Sequence, residues 1–376
     1  MIRKTSAIAV LGFVLFITAN VGAQRQGFIS VDGPNLKSRI ETALRQASGR
    51  NSRFWIGYQF NVRPGVAIDV EFTTSKGRTS IYHGTHVTVD GRTIESRNVG
   101  VFLRYEPNSN TPSGMEIYNL DRQRDFNGWP VYWLGLAAND ESLNTLRALV
   151  QSNQSERVAD HSILAIAVHD DTRVNSMLEE FIRNSSNQKI RKTAVFWLGQ
   201  TPGNHALLGE LVRNNQEDTE IRKQAAFAIG ISKDEGSLST LEGLYGSVEN
   251  REVKKQIIFA ASINENKDAA ANFLIKVAES DPDREAKKQA LFWIGQMAGN
   301  RSLQVLGDTV DSNDADTEIQ KQAVFAISQR PKDEAVPLLI KIARTHSKGE
   351  IRKQAIFWLG QTGDERALEF FKEILK

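Results

Sequence analysis

The eleven residues IRKQAIFWLGQ, Ile351 to Gln361, recur along this chain with small changes. IRKTAVFWLGQ begins at Ile190 and AKKQALFWIGQ at Ala286. Further aligned copies begin at Phe126, Val158, Ile221, Val253 and Ile319, so the steps run from 31 to 33 residues. A fixed period of this length marks one small supersecondary unit written repeatedly. Such a unit cannot bury its apolar side alone, and the copies must stack.

The word itself reads as a helix. Places 1, 5, 8 and 9 are apolar in most copies, and at about 100° per residue they share one face. Place 7 reads Tyr132, Leu164, Phe196, Phe227, Phe259, Phe292, Phe325 and Phe357. Place 10 is always small: Gly135, Ala167, Gly199, Gly230, Ser262, Gly295, Ser328 and Gly360. A small residue there lets helices approach closely or ends the helix. Three residues before most starts stands a side chain that caps free N–H groups: Ser155, Asn187, Asp218, Asn250, Asp283 and Asp316. Glu220, Glu252, Glu285, Glu318 and Glu350 follow in the first turn, where the helix dipole favours an anion. The last copy has Lys348 in the cap column, with Ser347 as the nearest substitute.

Between the words lies a second amphipathic segment, as in Leu238, Leu241 and Leu244, or Leu368, Phe371 and Leu375. Spacings of three and four mean helix again. Loops such as TPGNHA and MAGNRS separate the two kinds. The unit is helix, turn, helix, turn, and the fold class is mainly α.

The pattern Ile221-Arg222-Lys223-Gln224-Ala225, with its Ile-Gly ending, resembles the short HEAT-like repeats of about 30 residues, including those of the lyase type. The resemblance covers about two thirds of the chain and implies an α-solenoid of roughly seven or eight units over residues 126–376. It implies a binding scaffold whose second helices line the concave face. It implies no catalytic residues.

Residues 24–125 read differently. Asn35 to Ala47 suits one helix, and Arg53–Phe60, Val66–Thr73, Ser80–Val89, Arg92–Val99, Gly100–Tyr105 and Met115–Leu120 suit strands. Pro64-Gly65 and Asp90-Gly91 are turn dipeptides, the second fit for a tight hairpin. A small β-rich α+β region is expected, serving as a cap on the solenoid's open end or as a recognition module of its own.

The first 23 residues look like a secretory leader. Arg3 and Lys4 precede an apolar run from Ala7 to Thr18, and cleavage is expected after Ala23. The expected location is therefore the bacterial periplasm or the exterior. With no cysteine in the chain there is no disulfide framework. The chain carries 47 basic and 45 acidic residues, and loss of Arg3 and Lys4 leaves it formally neutral. That argues against a nucleic-acid partner, which needs clustered positive charge.

The candidate binding surface is a ladder. Place 3 holds Lys192, Lys223, Lys255, Lys288, Lys321 and Lys353. On the helical wheel these lie beside place 7, whose Phe227, Phe259 and Phe292 are taken into the site. Place 4 adds Gln224, Gln256 and Gln289 on the other side of the ring. Strips of cation, ring and amide would hold an extended peptide, acidic or aromatic, or an anionic glycan. The plainer alternative is a solvated face on which each Lys pairs with a neighbouring Glu. Place 2, with Arg191, Arg222, Lys254, Lys287 and Arg352 but Gln320, reads as inter-repeat salt links. Trp133, Trp197, Trp293 and Trp358 at place 8 read as core.

His83 and His86 have a chelating spacing but no third ligand in sequence, and His161 and His169 look incidental, so no metal site and no cofactor are assigned. No nucleophile elbow, phosphate loop or zincin motif occurs. The expectation is a non-enzymatic scaffold for a protein or peptide partner. A lyase-type enzyme and a cell-wall glycan binder are the alternatives.

Overall fold

The computed structural model describes residues 27–376 except 74–78, 86, 90, 91, 153, 298, 313–315 and 376. The expected leader, its cleavage point at Ala23, His86 and the Asp90-Gly91 turn lie outside the described residues. No helix among the described residues is long and apolar enough to cross a membrane. The chain divides into two compact units, 1–172 and 173–376.

The first unit is built on a five-stranded mixed sheet. Its strands are β1 (Ile29–Ser30), β2 (Phe54–Phe60), β7 (Val99–Tyr105), β8 (Pro112–Asn119) and β9 (Val131–Leu136), in the order β1-β9-β2-β7-β8. β9 runs parallel to β1 and β2, while β7 is antiparallel to β2 and β8. Two hairpins sit apart, β3 (Val66–Thr73) with β4 (Thr79–Thr85), and β5 (Val87–Val89) with β6 (Arg92–Ile94). The expected helix is α1 (Leu36–Ala47), capped by Asn35. One sheet face packs Trp55, Phe102, Leu120, Phe126, Val131 and Trp133 into an aromatic core. Gly57 makes room for it, since a Cβ there would lie 2.7 Å from the Phe102 ring.

β9 corrects the reading of the first copy of the word. The copy at Phe126 is a strand, not a helix. Asn127 and Gly128 turn the chain at positive φ, 58° and 68°, and Pro130 supplies no N–H for a helical bond. Val131-Tyr132-Trp133-Leu134 is then β-branched and aromatic, and two parallel neighbours pair with it. That copy also lacks a capping residue, having Gln123 in the cap column.

The first unit ends in a helical pair, α2 (Asn139–Ser152) and α3 (Glu156–Val168), against which β8 packs. His161 Nδ1 meets the Met115 carbonyl, and Ser162 Oγ lies 3.3 Å from Met115 Sδ. His169 is buried, stacks on Phe60 at 4.2 Å and bonds Ser142 Oγ at 2.8 Å, so it is a structural pin rather than an incidental residue. Asp69 sits in a bulge of β3 at φ 59°. Its buried carboxylate, paired with Arg122 and Arg124, holds that strained backbone in place.

The second unit alternates seven partner helices with six helices formed by the words. The partners are α4 (Val174–Asn184), α6 (His205–Arg213), α8 (Ser237–Ser247), α10 (Lys267–Ser280), α12 (Asn300–Asp311), α14 (Lys332–Thr345) and α16 (Glu365–Ile374). The words form α5 (Gln188–Gly199), α7 (Thr219–Ile231), α9 (Arg251–Ile263), α11 (Arg284–Gln296), α13 (Thr317–Ser328) and α15 (Gly349–Gln361). Six word helices thus alternate with these partners, α16 standing last. Asn187, Asp218, Asn250, Asp283 and Asp316 cap as expected. Ser347 does not cap α15. Lys348 occupies the N-cap without a capping side-chain bond; its Nζ donates to Gln320 Oε1 at 2.7 Å and its backbone N–H to His346 Nδ1 at 3.1 Å.

Candidate functional site

Place 2 explains how each pair is locked. Arg222 Nε donates to the Val212 carbonyl at 2.9 Å, Lys287 Nζ to Glu279 O at 2.8 Å and Arg191 Nε to Ile182 O at 2.6 Å. Each acceptor lies in the last turn of the preceding helix, where carbonyls have no partner within their own helix. Gln320, the apparent exception, does the same work with its amide, donating to Val310 O at 2.7 Å and Ser312 O at 2.9 Å. The expected inter-repeat salt link is therefore corrected at most copies to a carbonyl cap inside one pair. Arg191 does both, reaching Glu217 at 2.5 Å.

Place 10 sets how closely word helices stack. A Cβ on Gly199 would lie 2.7 Å from Ala228 Cβ, on Gly230 2.5 Å from Ala260 O and on Gly295 2.8 Å from Ala326 O. In each case place 10 of one copy meets the Ala at place 8 of the next. Where place 10 is Ser262 or Ser328, the next place 8 is Trp293 or Trp358. The word helices approach each other more closely than the partner helices do, so within this unit they form the short, inner row.

On that row the expected strip is present. Phe196 and Phe227 stack at 6.4 Å, Phe227 and Phe259 at 6.1 Å, and Phe292 and Phe325 at 6.2 Å, all nearly parallel. Trp293 and Trp358 interrupt the stack, tilting against Phe259 and Phe325 at 5.0 Å. Both are only partly buried, which corrects their reading as core; Trp197 is buried as expected. An indole beside a serine cannot sink into the gap that alanine fills beside glycine.

The lysines stand along one edge, each facing a carboxylate. Lys223 bonds Glu220 at 2.8 Å, Lys255 bonds Glu252 at 3.1 Å, Lys288 bonds Glu285 at 3.3 Å and Lys321 bonds Glu318 at 3.0 Å. Lys192 reaches Glu220 of the next copy at 3.6 Å, and Lys321 reaches Glu350 at 2.7 Å. Lys353 is exposed at the end of the row. The Lys223 ammonium holds the Glu220 carboxyl below the usual range, and Lys321 does the same for Glu350. The edge is thus a chain of alternating charges rather than a basic stripe. This is the plainer alternative, each Lys paired with a neighbouring Glu, and the spacing of three before Lys223, Lys255, Lys288 and Lys321 carries its signal.

The amides are different. Gln224, Gln256 and Gln289 are half-buried beside the rings. Among the described hydrogen bonds their side chains make none within the protein. Lys192, Glu220, Lys223, Gln224, Phe227 and Gln256 line one open depression of about 340 Å³. The ladder residues named from sequence are therefore brought together best across α5, α7 and α9. His83 lies elsewhere, its Nδ1 accepting from Asp69 N–H at 3.2 Å.

The family of HEAT repeats matches residues 175–262 and 312–376. No curated protein sequence matches the chain. Among solved structures it is similar to human deoxyhypusine hydroxylase in complex with glycerol, at 12% identity and TM-score 0.29, covering 62% of this chain and 90% of that one. It is similar to the complex of CpcE and CpcF of phycocyanin lyase from Nostoc sp. PCC7120, at 14% identity and TM-score 0.32, covering 61% and 92%. Importin beta is a third, at 13% identity and TM-score 0.33, covering 58% and 38%. Period, capped helix pairs, inner glycine–alanine seams and the family match agree: the helical pairs of the second unit are HEAT repeats, and this chain is a HEAT-repeat protein with a small β-rich N-terminal region.

Proposed function

We propose that this chain is an exported, non-catalytic scaffold that binds a protein or peptide partner on the inner row of its HEAT-repeat unit. One observation carries the reading. The ring-and-amide strip runs along the inner row, and among the described residues the side chains of Gln224, Gln256 and Gln289 make no hydrogen bond. Polar side chains held half-buried beside aromatic rings suit recognition better than solvation. The paired lysines weaken the case for a strongly acidic partner, since each positive charge already faces a carboxylate. The near balance of charge in the sequence supports a partner other than nucleic acid. Export rests on the leader-like first 23 residues, and the non-catalytic reading on the lack of reaction motifs in the sequence.

A photoreactive residue placed at Lys223 tests the proposal in the native cell envelope. It is expected to trap a discrete partner, while the same residue at the exposed Glu242 of α8 traps none. Equal trapping at both positions, or none at Lys223, rejects the inner row as the binding surface. The mass of the purified protein's N-terminal peptide tests export, with cleavage after Ala23 expected.

A further inference from the structure

From the spacing of the inner row we infer that its occupant is an extended peptide segment gripped by its main chain, at two residues per repeat. The inference rests on the binding reading above and adds what is bound and in which register.

The step along the row is read from its rings, 6.4 Å from Phe196 to Phe227 and 6.1 Å from Phe227 to Phe259. An extended chain advances about 3.3 Å per residue, or about 6.6 Å for two. Every second residue of such a chain presents its N–H and C=O on the same edge. The row therefore repeats at nearly the period of one edge of an extended peptide. A helical ligand advances about 1.5 Å per residue and satisfies its backbone internally, so it offers no such edge.

The chemistry matches the spacing. A glutamine amide both donates and accepts, as a peptide unit does. Gln224 and Gln256 stand on consecutive rungs and both open onto the 340 Å³ depression. Each can accept from an N–H and donate to a C=O of one peptide residue, with Phe227 as the floor between them. The flanking Lys192–Glu220–Lys223 chain of charges is internally compensated and makes no strong demand on side-chain charge. Trp293, turned across Phe259 at 5.0 Å, ends the block. Three rungs at two residues each give a footprint of about six residues. Recognition of this kind tolerates varied side chains and is strict about main-chain N–H groups.

The test uses the full chain, immobilised, and a randomised library of acetylated, amidated peptides of about eight residues, the footprint plus one at each end. Retained sequences are resynthesised with single N-methyl groups. N-methylation at residues of one parity is expected to weaken binding about 5–10-fold for each lost hydrogen bond, and the other parity to be tolerated. Gln224→Ala and Gln256→Ala are each expected to weaken binding about 5–10-fold, with Phe stacking intact by near-ultraviolet circular dichroism. Retained peptides with no parity effect, or with full affinity for both glutamine variants, overturn the main-chain register and leave the scaffold reading standing. Retention of helical peptides alone does the same. If no peptide is retained and the photoreactive residue at Lys223 also traps nothing, both readings fall.

Discussion

Two kinds of seam join the HEAT repeats of this chain, and they differ at two places of the word. In the tight seams, Gly199, Gly230 and Gly295 lie against Ala228, Ala260 and Ala326, and the place 7 rings on either side stack face to face. In the indole seams, Ser262 and Ser328 precede Trp293 and Trp358, and the indoles tilt onto Phe259 and Phe325. Both serines turn back to bond the carbonyl three residues earlier, Phe259 and Phe325, at 2.7 Å. The indole nitrogens of Trp293 and Trp358 are buried without a hydrogen-bond partner. The difference teaches that the two places work as a couple. Glycine with alanine brings backbones together and continues the ring stack; serine with tryptophan puts an indole in the seam and cuts the stack into blocks. The proposed binding strip is the longest uninterrupted block.

The largest expected effect breaks a tight seam. Gly230→Ala puts a Cβ 2.5 Å from the Ala260 carbonyl oxygen, and backbone cannot step aside as a side chain can. A loss of about 3 kcal/mol is expected in urea unfolding. The control is Gly360→Ala, whose new Cβ would meet nothing nearer than 4.0 Å. It should be neutral or gain up to about 1 kcal/mol from helix propensity. Equal behaviour of the two variants would show that the seams are not tight.

Next comes an indole seam. A core tryptophan cut to alanine costs about 3–5 kcal/mol, but Trp293 is only partly buried and its N–H is unpaired, so Trp293→Ala should cost about 2 kcal/mol. A full core cost would restore the reading of Trp293 as core.

A smaller effect asks whether the helices at either seam depend equally on their caps. Asp218 accepts from the Glu220 and Ile221 N–H groups at 2.8 and 3.3 Å. Asp218→Ala should cost about 1 kcal/mol, while Lys348→Asp at the start of α15 gains a cap but gives up the Lys348 Nζ–Gln320 Oε1 bond and should be near neutral.

The smallest effect belongs to the charged edge, which passes both seams. The Glu220 carboxyl is held below its ordinary range by Lys223, and Glu350 by Lys321. A carboxyl depressed on folding lends stability that is complete above the ordinary carboxylate range and is lost as pH falls through the folded value. Carboxyl-detected NMR titration should place Glu220 below an unstructured glutamate, and Lys223→Met should move it back up. The pair is exposed, so its effect on unfolding should be slight.

The helical copies from Val158 onward were legible because period and apolar face pointed to one answer, with the cap agreeing in all but the last. The copy at Phe126 matched only in residue type. It lacked the cap and carried Pro130, and partner strands β1 and β2 decided its state. The ladder of Lys, Phe and Gln was legible because places 3, 4 and 7 share a helix face. Its neutralisation was legible too, in the spacing of three from Glu220 to Lys223, but needed the rotamers to show which pairs close.

By itself the sequence determined the repeat, the helices and the residues on each helix face, since these depend on contacts within about one turn. Only the tertiary structure decided the seams. It set the step of about 6 Å between rings, left Trp293 and Trp358 only partly buried and sent place 2 to the carbonyls of its own pair. Those outcomes depend on how nearly two backbones can approach, which no single helix specifies.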